Sequence, residues 1–198
     1  MLLRTILADL RSTVSPEANS GPAFWIRVIG KLLFAPAVQV VVLYRISTLL
    51  YRTPLTRPLA FILRSVGVVW GGTEIHPNAQ IGPGLCVLHS QKVLIGPGVT
   101  IGEDLRISHG VSIGGDAGRY APVRSTGYPT IGNHVTIALD SIILGPVTIG
   151  DGAVIAGQSF VMKDVPPYTL VAGSPARVVR KLEPPVELAD PVDLERPV

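Results

Sequence analysis

The chain has 198 residues, 47% of them apolar, and carries a formal net charge of +3 at neutral pH. That length suits one domain, or one domain with a small appendage, and so much apolar material excludes disorder over most of it. A single cysteine, Cys86, excludes an internal disulfide framework and makes a reducing cytoplasm the expected compartment, and no nucleic-acid partner is expected.

The charge is uneven. Residues 1–70 hold eight Arg or Lys against Asp9 and Glu17, whereas the remainder is net negative by three. This basic stretch reads as helical, with breaks near 15–22 and 54–58, where Pro and Thr interrupt the pattern. Its longest nearly continuous apolar run, 32–44, contains Pro36 and Gln39 and falls short of the roughly 20 residues that span a bilayer. The opening MLLRTILADLRS does not read as a cleaved signal, because its apolar run is short, Asp9 interrupts it and no small-residue cleavage site follows. Arg45, Arg52, Arg57 and Arg64 recur through an otherwise apolar region. They predict a helical cap with a basic apolar surface that either joins oligomers or rests on an anionic membrane.

From about residue 75 the sequence repeats with a period of six. The frames run IHPNAQ, IGPGLC, VLHSQK, then after Val93 and Leu94 IGPGVT, IGEDLR, ISHGVS, and after a long interruption IGNHVT, IALDSI, ILGPVT, IGDGAV, IAGQSF, VMKDVP. All twelve begin with Ile or Val, and the fifth position is small or aliphatic (Ala79, Val99, Val135, Ser141, Ala153) except at Gln91. Two inward positions in six fit neither a helix stripe nor a plain alternating strand. They fit a short strand followed by a tight corner, three times per coil, giving a triangular prism of about four coils. Second-position glycines (Gly82, Gly96, Gly102, Gly132, Gly150) suit its corners. A β-sandwich with Gly-rich turns has no reason to keep so strict a phase. After the prism, 166–182 reads as a closing segment, and 183–198 is a proline-rich acidic tail to which no function is assigned.

His89 and His109 are the third residues of the third and sixth hexads. One coil apart, they are expected to stack on one edge with backbones separated by about 4.8 Å. The long insertion, 114–130, leaves the prism just after the His109 hexad, predicting a cleft with two imidazoles and an overhanging loop. An imidazole suits removal of a proton from an attacking hydroxyl. A single corner histidine is more simply a surface residue; the stacked pair beside the only long loop marks a site. His76 and His134 occupy other hexad positions and read as structural or surface residues.

The segment TEIHPNAQIGPGLCVLHSQKVLIGPGVTIGEDLRISHGVSIGG resembles the serine acetyltransferase family in spacing, including the two-residue irregularity after the His89 hexad. Upstream, ILADLRSTVSPEA and APAVQVVVLYRISTLLY resemble that family's last helical segments, and downstream VMKDVPPYTLVAGSPARVV resembles the closing strand and CoA-binding end of hexapeptide acyltransferases. The resemblance implies a mainly β protein: a left-handed parallel β-helix over 71–182, preceded by a small α-helical region over 1–70 and followed by a flexible tail over 183–198. It implies acetyl-CoA as donor, a homotrimer with active sites between neighbouring prisms, and in the family's fuller form a dimer of trimers. No metal is expected.

Carried over by position, the resemblance makes His89 the catalytic base, Glu74 the carboxylate that orients it and Asp9 an acidic substrate-binding residue. The aspartate that usually precedes the catalytic histidine is Leu88 here, and the loop's Arg-His-Pro reads Gly127-Tyr128-Pro129. Tyr128 and Arg124, or Arg119, are then the loop candidates for acceptor binding. His109-Gly110-Val111 resembles the HGV sequence of the polysaccharide-associated O-acetyltransferase branch and makes His109 a second catalytic candidate. Lys163 and Arg177, with Arg180 and Lys181 nearby, could meet CoA phosphates, while Ala172 and Gly173 permit close backbone approach. The expected function is acetyl transfer to a hydroxyl of a small metabolite or a sugar or glycan. The alternatives are serine O-acetylation for cysteine synthesis, a zinc-dependent carbonic anhydrase-like protein, which would need three ligands, and a noncatalytic membrane-surface scaffold.

Overall fold

The structure, a computed structural model, describes residues 2–14, 21–115 and 127–184. Four helices come first: α1 (Leu2–Ser12), α2 (Gly21–Phe34), α3 (Pro36–Tyr51) and, after a 3-10 turn at Pro54–Thr56, α4 (Arg57–Gly71). Pro36 opens α3, where its missing N–H costs nothing, and Gly72 closes α4 in the left-handed conformation (φ 65°), donating its N–H to the Val68 carbonyl at 3.0 Å. Phe24 and Val28 of α2 pack with Leu10, Val14 and Val38 in a small cluster of their own. Val41 and Tyr44 of α3 instead join the main core, and the Tyr44 hydroxyl donates to the Ala79 carbonyl at 2.8 Å. The helical region is thereby riveted onto the first coil.

The expected basic apolar surface is divided. Arg45 is buried against Asp9 and Arg64 is paired with Glu74, which leaves Arg52 and Arg57 as the exposed members of that series. On α2 the exposed Trp25, Ile26, Ile29 and Leu33 share one side, and at about 100° per residue Arg27 and Lys31 fall roughly opposite. Among the described residues no single helix is long and apolar enough to cross a membrane, and α2 and α3, apolar enough together, meet at 86°.

The rest is a left-handed parallel β-helix of about four turns, as the six-residue period and the resemblance imply. Its first face stacks β1 (Thr73–Ile75), β4 (Val93–Ile95), β7 (Ser112–Gly114), β10 (Ile142–Leu144) and β13 (Phe160–Val161). The second stacks β2 (Gln80–Ile81), β5 (Thr100–Ile101), β8 (Thr130–Ile131) and β11 (Thr148–Ile149). The third stacks β3 (Cys86–Val87), β6 (Arg106–Ile107), β9 (Thr136–Ile137), β12 (Val154–Ile155) and β14 (Thr169–Ala172), with β15 (Arg177–Lys181) added antiparallel. Ile95, Ile113 and Ile143 line the first face from inside, Ile101, Ile131 and Ile149 the second, and Ile107, Ile137 and Ile155 the third, all nearly inaccessible to water.

Two local features explain irregularities in the repeat. Gln91 turns outward because the two-residue insertion lets Val93, 2% exposed, take the inward position ahead of Ile95. The left-handed backbone falls on the fourth residue of eight of the twelve hexads, as at Gly84, Asp104, His134 and Gly152, and not on the second-position glycines. Those meet a different demand: a Cβ on Gly82 would lie 2.5 Å from the Gly102 carbonyl oxygen of the coil above. His134 is thus an exposed corner residue whose Nδ1 lies 3.4 Å from Asp104.

Candidate active site

Parallel registry fixes which side chains share the edge between the third and first faces. The pairings Val87↔Ile107, Ile107↔Ile137, Ile137↔Ile155 and Ile155↔Val171, extended two residues, align His89, His109, Leu139, Gly157 and Gly173 in one column. The first four are the third residues of their hexads, and Gly173 joins them from the closing segment. The structure brings His89 and His109 together on this edge, ring centroids 5.9 Å apart and planes at 68°. His89 is exposed and His109 half-buried, with Ser108 Oγ 3.5 Å from His109 Nδ1. Above the imidazoles come the exposed Leu139 and then Gly157 and Gly173, flanked by Ala138, Ala156 and Ala172. This strip of small residues lets an extended amide chain lie along the edge.

The other expected site residues are distributed differently. Ala172 and Gly173 cap the histidine column, where Phe160 N–H donates to the Gly173 carbonyl at 2.9 Å, and Arg177 pairs with Ala172 at the top of the third face. Lys163 is exposed in the corner after β13, one full face away from the column. Tyr128 packs its ring over Gly98 and Gly115, on the edge between the first and second faces. The insertion leaves the prism there, after the three residues of β7, so within one chain it stands about 10 Å of strand from the histidines. Of the expected overhanging loop only these flanks are described; residues 116–126 lie outside the described residues. Arg124 and Arg119 lie outside the described residues.

Two carboxylates expected in the site have other partners. Glu74 is hydrogen-bonded to Arg64 of α4 and has no hydrogen bond to His89. The sequence offered no cue to Arg64, because its meeting with Glu74 depends on how α4 lies back against β1 across the turn at Gly71–Gly72. Asp9, 3% exposed, accepts from Arg45 Nε at 2.7 Å and Nη2 at 3.0 Å and from the Gly84 and Leu85 N–H groups at 2.9 Å each. Both of its oxygens are occupied on the edge between the second and third faces. Expected to bind substrate, Asp9 is seen here clamping α1 to the first coil.

His76 packs edge-on against Tyr51 and Phe61, with centroids at 5.9 and 5.7 Å, and its Nδ1 accepts the Asn78 N–H. Burial, followed by the nearby Arg64 guanidinium, holds its pKa below the ordinary histidine value, with Glu74 acting in the opposite sense. Burial likewise pushes the Cys86 thiol up, which suits a packing residue and not a nucleophile. Among the described residues no three His, Cys, Asp or Glu side chains converge to hold a metal ion.

A left-handed β-helix with stacked edge imidazoles and a narrow column above them defines a hexapeptide-repeat acyltransferase. No family profile matches the chain. It is 34% identical over 153 residues to a serine acetyltransferase of Helicobacter pylori, covering 76% of this chain and 85% of that one. The structure superposes on soybean serine acetyltransferase complexed with serine (TM-score 0.76, 34% identity, 90% of this chain and 69% of that one). It also superposes on the Brucella abortus serine acetyltransferase in complex with coenzyme A (TM-score 0.77, 27% identity, 91% and 68%). The chain belongs to the serine acetyltransferase family.

Proposed function

We propose that the protein transfers the acetyl group of acetyl-CoA to the hydroxyl of serine, with His89 as general base. The stacked His89–His109 pair at the foot of the small-residue column carries this reading. The family's name and the relatives solved with serine and with coenzyme A support it, and they favour serine over the wider class of hydroxyl acceptors. In the reaction, the His89 ring nitrogen takes the hydroxyl proton as the oxygen attacks the thioester carbon. The new C–O bond forms, the C–S bond breaks, and the imidazolium returns its proton to the departing thiolate. His109, beside it, positions the acceptor or meets developing charge. Gly173 and Ala172 pass the pantetheine chain along the edge, and Arg177 stands at the end where its phosphates emerge.

A second acceptor class, a sugar hydroxyl, is favoured by one observation: the loop presents Gly127 and Tyr128, without a charged group for an amino-acid carboxylate, at the positions that resemble the family's Arg-His pair. Thiol release from acetyl-CoA, followed with serine and with a panel of sugars, decides between them. Saturable turnover with serine is expected, and turnover confined to a sugar would replace serine as the acceptor.

The assembly follows from the same geometry. Tyr128 and the described flanks of the insertion stand one face away from the histidines of their own chain, which supports a site completed by a neighbouring prism. We expect a trimer, sedimenting at three times the 21.0 kDa chain mass. A monomer at micromolar concentration would exclude a shared site.

A further inference from the structure

Arg4 and Arg11 of α1 are seven residues apart, two helical turns, and so project from the same side of the helix. That side closes a cleft against the second coil, lined also by Leu7, Ser12, Asp104 and Arg106 of β6. Three guanidinium groups thus border one cleft. All three are exposed, and none makes an ion pair among the described residues. The lone carboxylate in the lining, Asp104, is turned to His134 at 3.4 Å. Arg106 is in register with Cys86, three residues before His109 and His89 on their respective coils. The cleft therefore lies on the third face, about 10 Å of strand from the histidine edge and beside the lower coils, away from the Gly173 end of the column.

We propose that this cleft binds a small polyanion, one bearing at least two phosphate or carboxylate groups. The spacing selects the valence. Arg4 and Arg11 begin about 10 Å apart along the helix axis, with Arg106 below them, so a single carboxylate meets only part of the set. An exposed, screened guanidinium gains little from one contact, whereas a ligand that engages several planar forks at once adds charge-assisted and bidentate bonds. Such a ligand has three possible sources: an acidic group on the acceptor, the phosphates of CoA itself, or a separate effector. Where it bears on the acceptor, the inference rests on the acetyl-transfer reading; as a binding site it stands without it.

The test uses the full chain with pyrophosphate and inorganic phosphate as probes, followed by titration calorimetry at low ionic strength. Pyrophosphate is expected to bind one site per chain, at least about tenfold more tightly than phosphate, and Arg106→Gln or Arg11→Gln to weaken it by about tenfold. Arg27→Gln, a neutralisation of equal charge on the exposed side of α2, serves as the control and is expected to leave binding unchanged. Equal losses in Arg106→Gln and Arg27→Gln, or no preference for pyrophosphate over phosphate, would overturn the site. Initial rates then identify the source. With Arg106-dependent inhibition, competition against the acceptor points to the acceptor, competition against acetyl-CoA to the CoA phosphates, and a change in kcat alone to an effector. Inhibition by pyrophosphate that is undiminished in Arg106→Gln assigns its binding to the CoA groove and also overturns the proposal.

Discussion

His89→Ala is expected to lower turnover by about 10²- to 10⁴-fold, the range of a lost general base, while acetyl-CoA binds nearly as tightly as before. The two effects separate because His89 stands exposed at the foot of the column, whereas the small residues proposed to admit the pantetheine chain lie above it. His109→Ala should cost less in kcat and more in acceptor KM, since the half-buried His109 stands one coil above His89, with ring centroids 5.9 Å apart. Single-turnover acetyl transfer with each variant measures the chemistry, and equilibrium titration with CoA measures the binding. A larger loss of kcat in His109→Ala than in His89→Ala would exchange their roles. The structure also alters what is expected of Glu74. Because its carboxylate is held by Arg64, Glu74→Gln releases a guanidinium beside the edge and disturbs the seam between α4 and the first coil. Its effect should therefore appear in stability as well as in kcat, and Arg64→Gln should reproduce the stability part.

The repeat made the prism legible because its energetics are local. An Ile or Val at the first position of each hexad has only one place to go, the interior, and each coil repeats the demand of the one below it. The same frame held more of the site than the two histidines. Leu139 and Gly157 are also third-position residues on the same edge, so the column above the histidines could have been written out as far as Gly157, whereas Gly173 lies beyond the twelve hexads. Residue order alone did not place the flanks of the loop. Gly115 follows His109 closely in sequence, but the β7 strand between them runs the full width of a face. Partners drawn from the helices were beyond reach of the frame. Nothing in the period says that Arg64 lands on Glu74 or Arg45 on Asp9, since these depend on how a nonrepeating segment docks. The one helical cue available was the seven-residue spacing of Arg4 and Arg11, and its meaning emerges only with Arg106 beneath it.

Asp9 gives the sharpest contrast between the two readings. As a substrate ligand its removal would raise the acceptor KM and leave folding alone. As the clamp the structure describes, Asp9→Ala strands the Arg45 guanidinium, 6% exposed, with only the Ile81 and Gly82 carbonyls at 2.5 and 2.7 Å as partners, and deprives the Gly84 and Leu85 N–H groups of their acceptor. Breaking a buried pair from one side costs about 3–5 kcal/mol, because the remaining charge keeps its desolvation penalty without its counterion. Asp9→Asn should cost less, since the amide oxygen can still accept the two backbone N–H groups. The loss is expected as a lower urea midpoint with little change in slope. Below the transition, the folded fraction of Asp9→Ala should keep the wild-type acceptor KM, because the carboxylate lies on a different edge from the histidines and faces no solvent. An Asp9→Ala protein of unchanged stability with a raised KM would return Asp9 to the substrate.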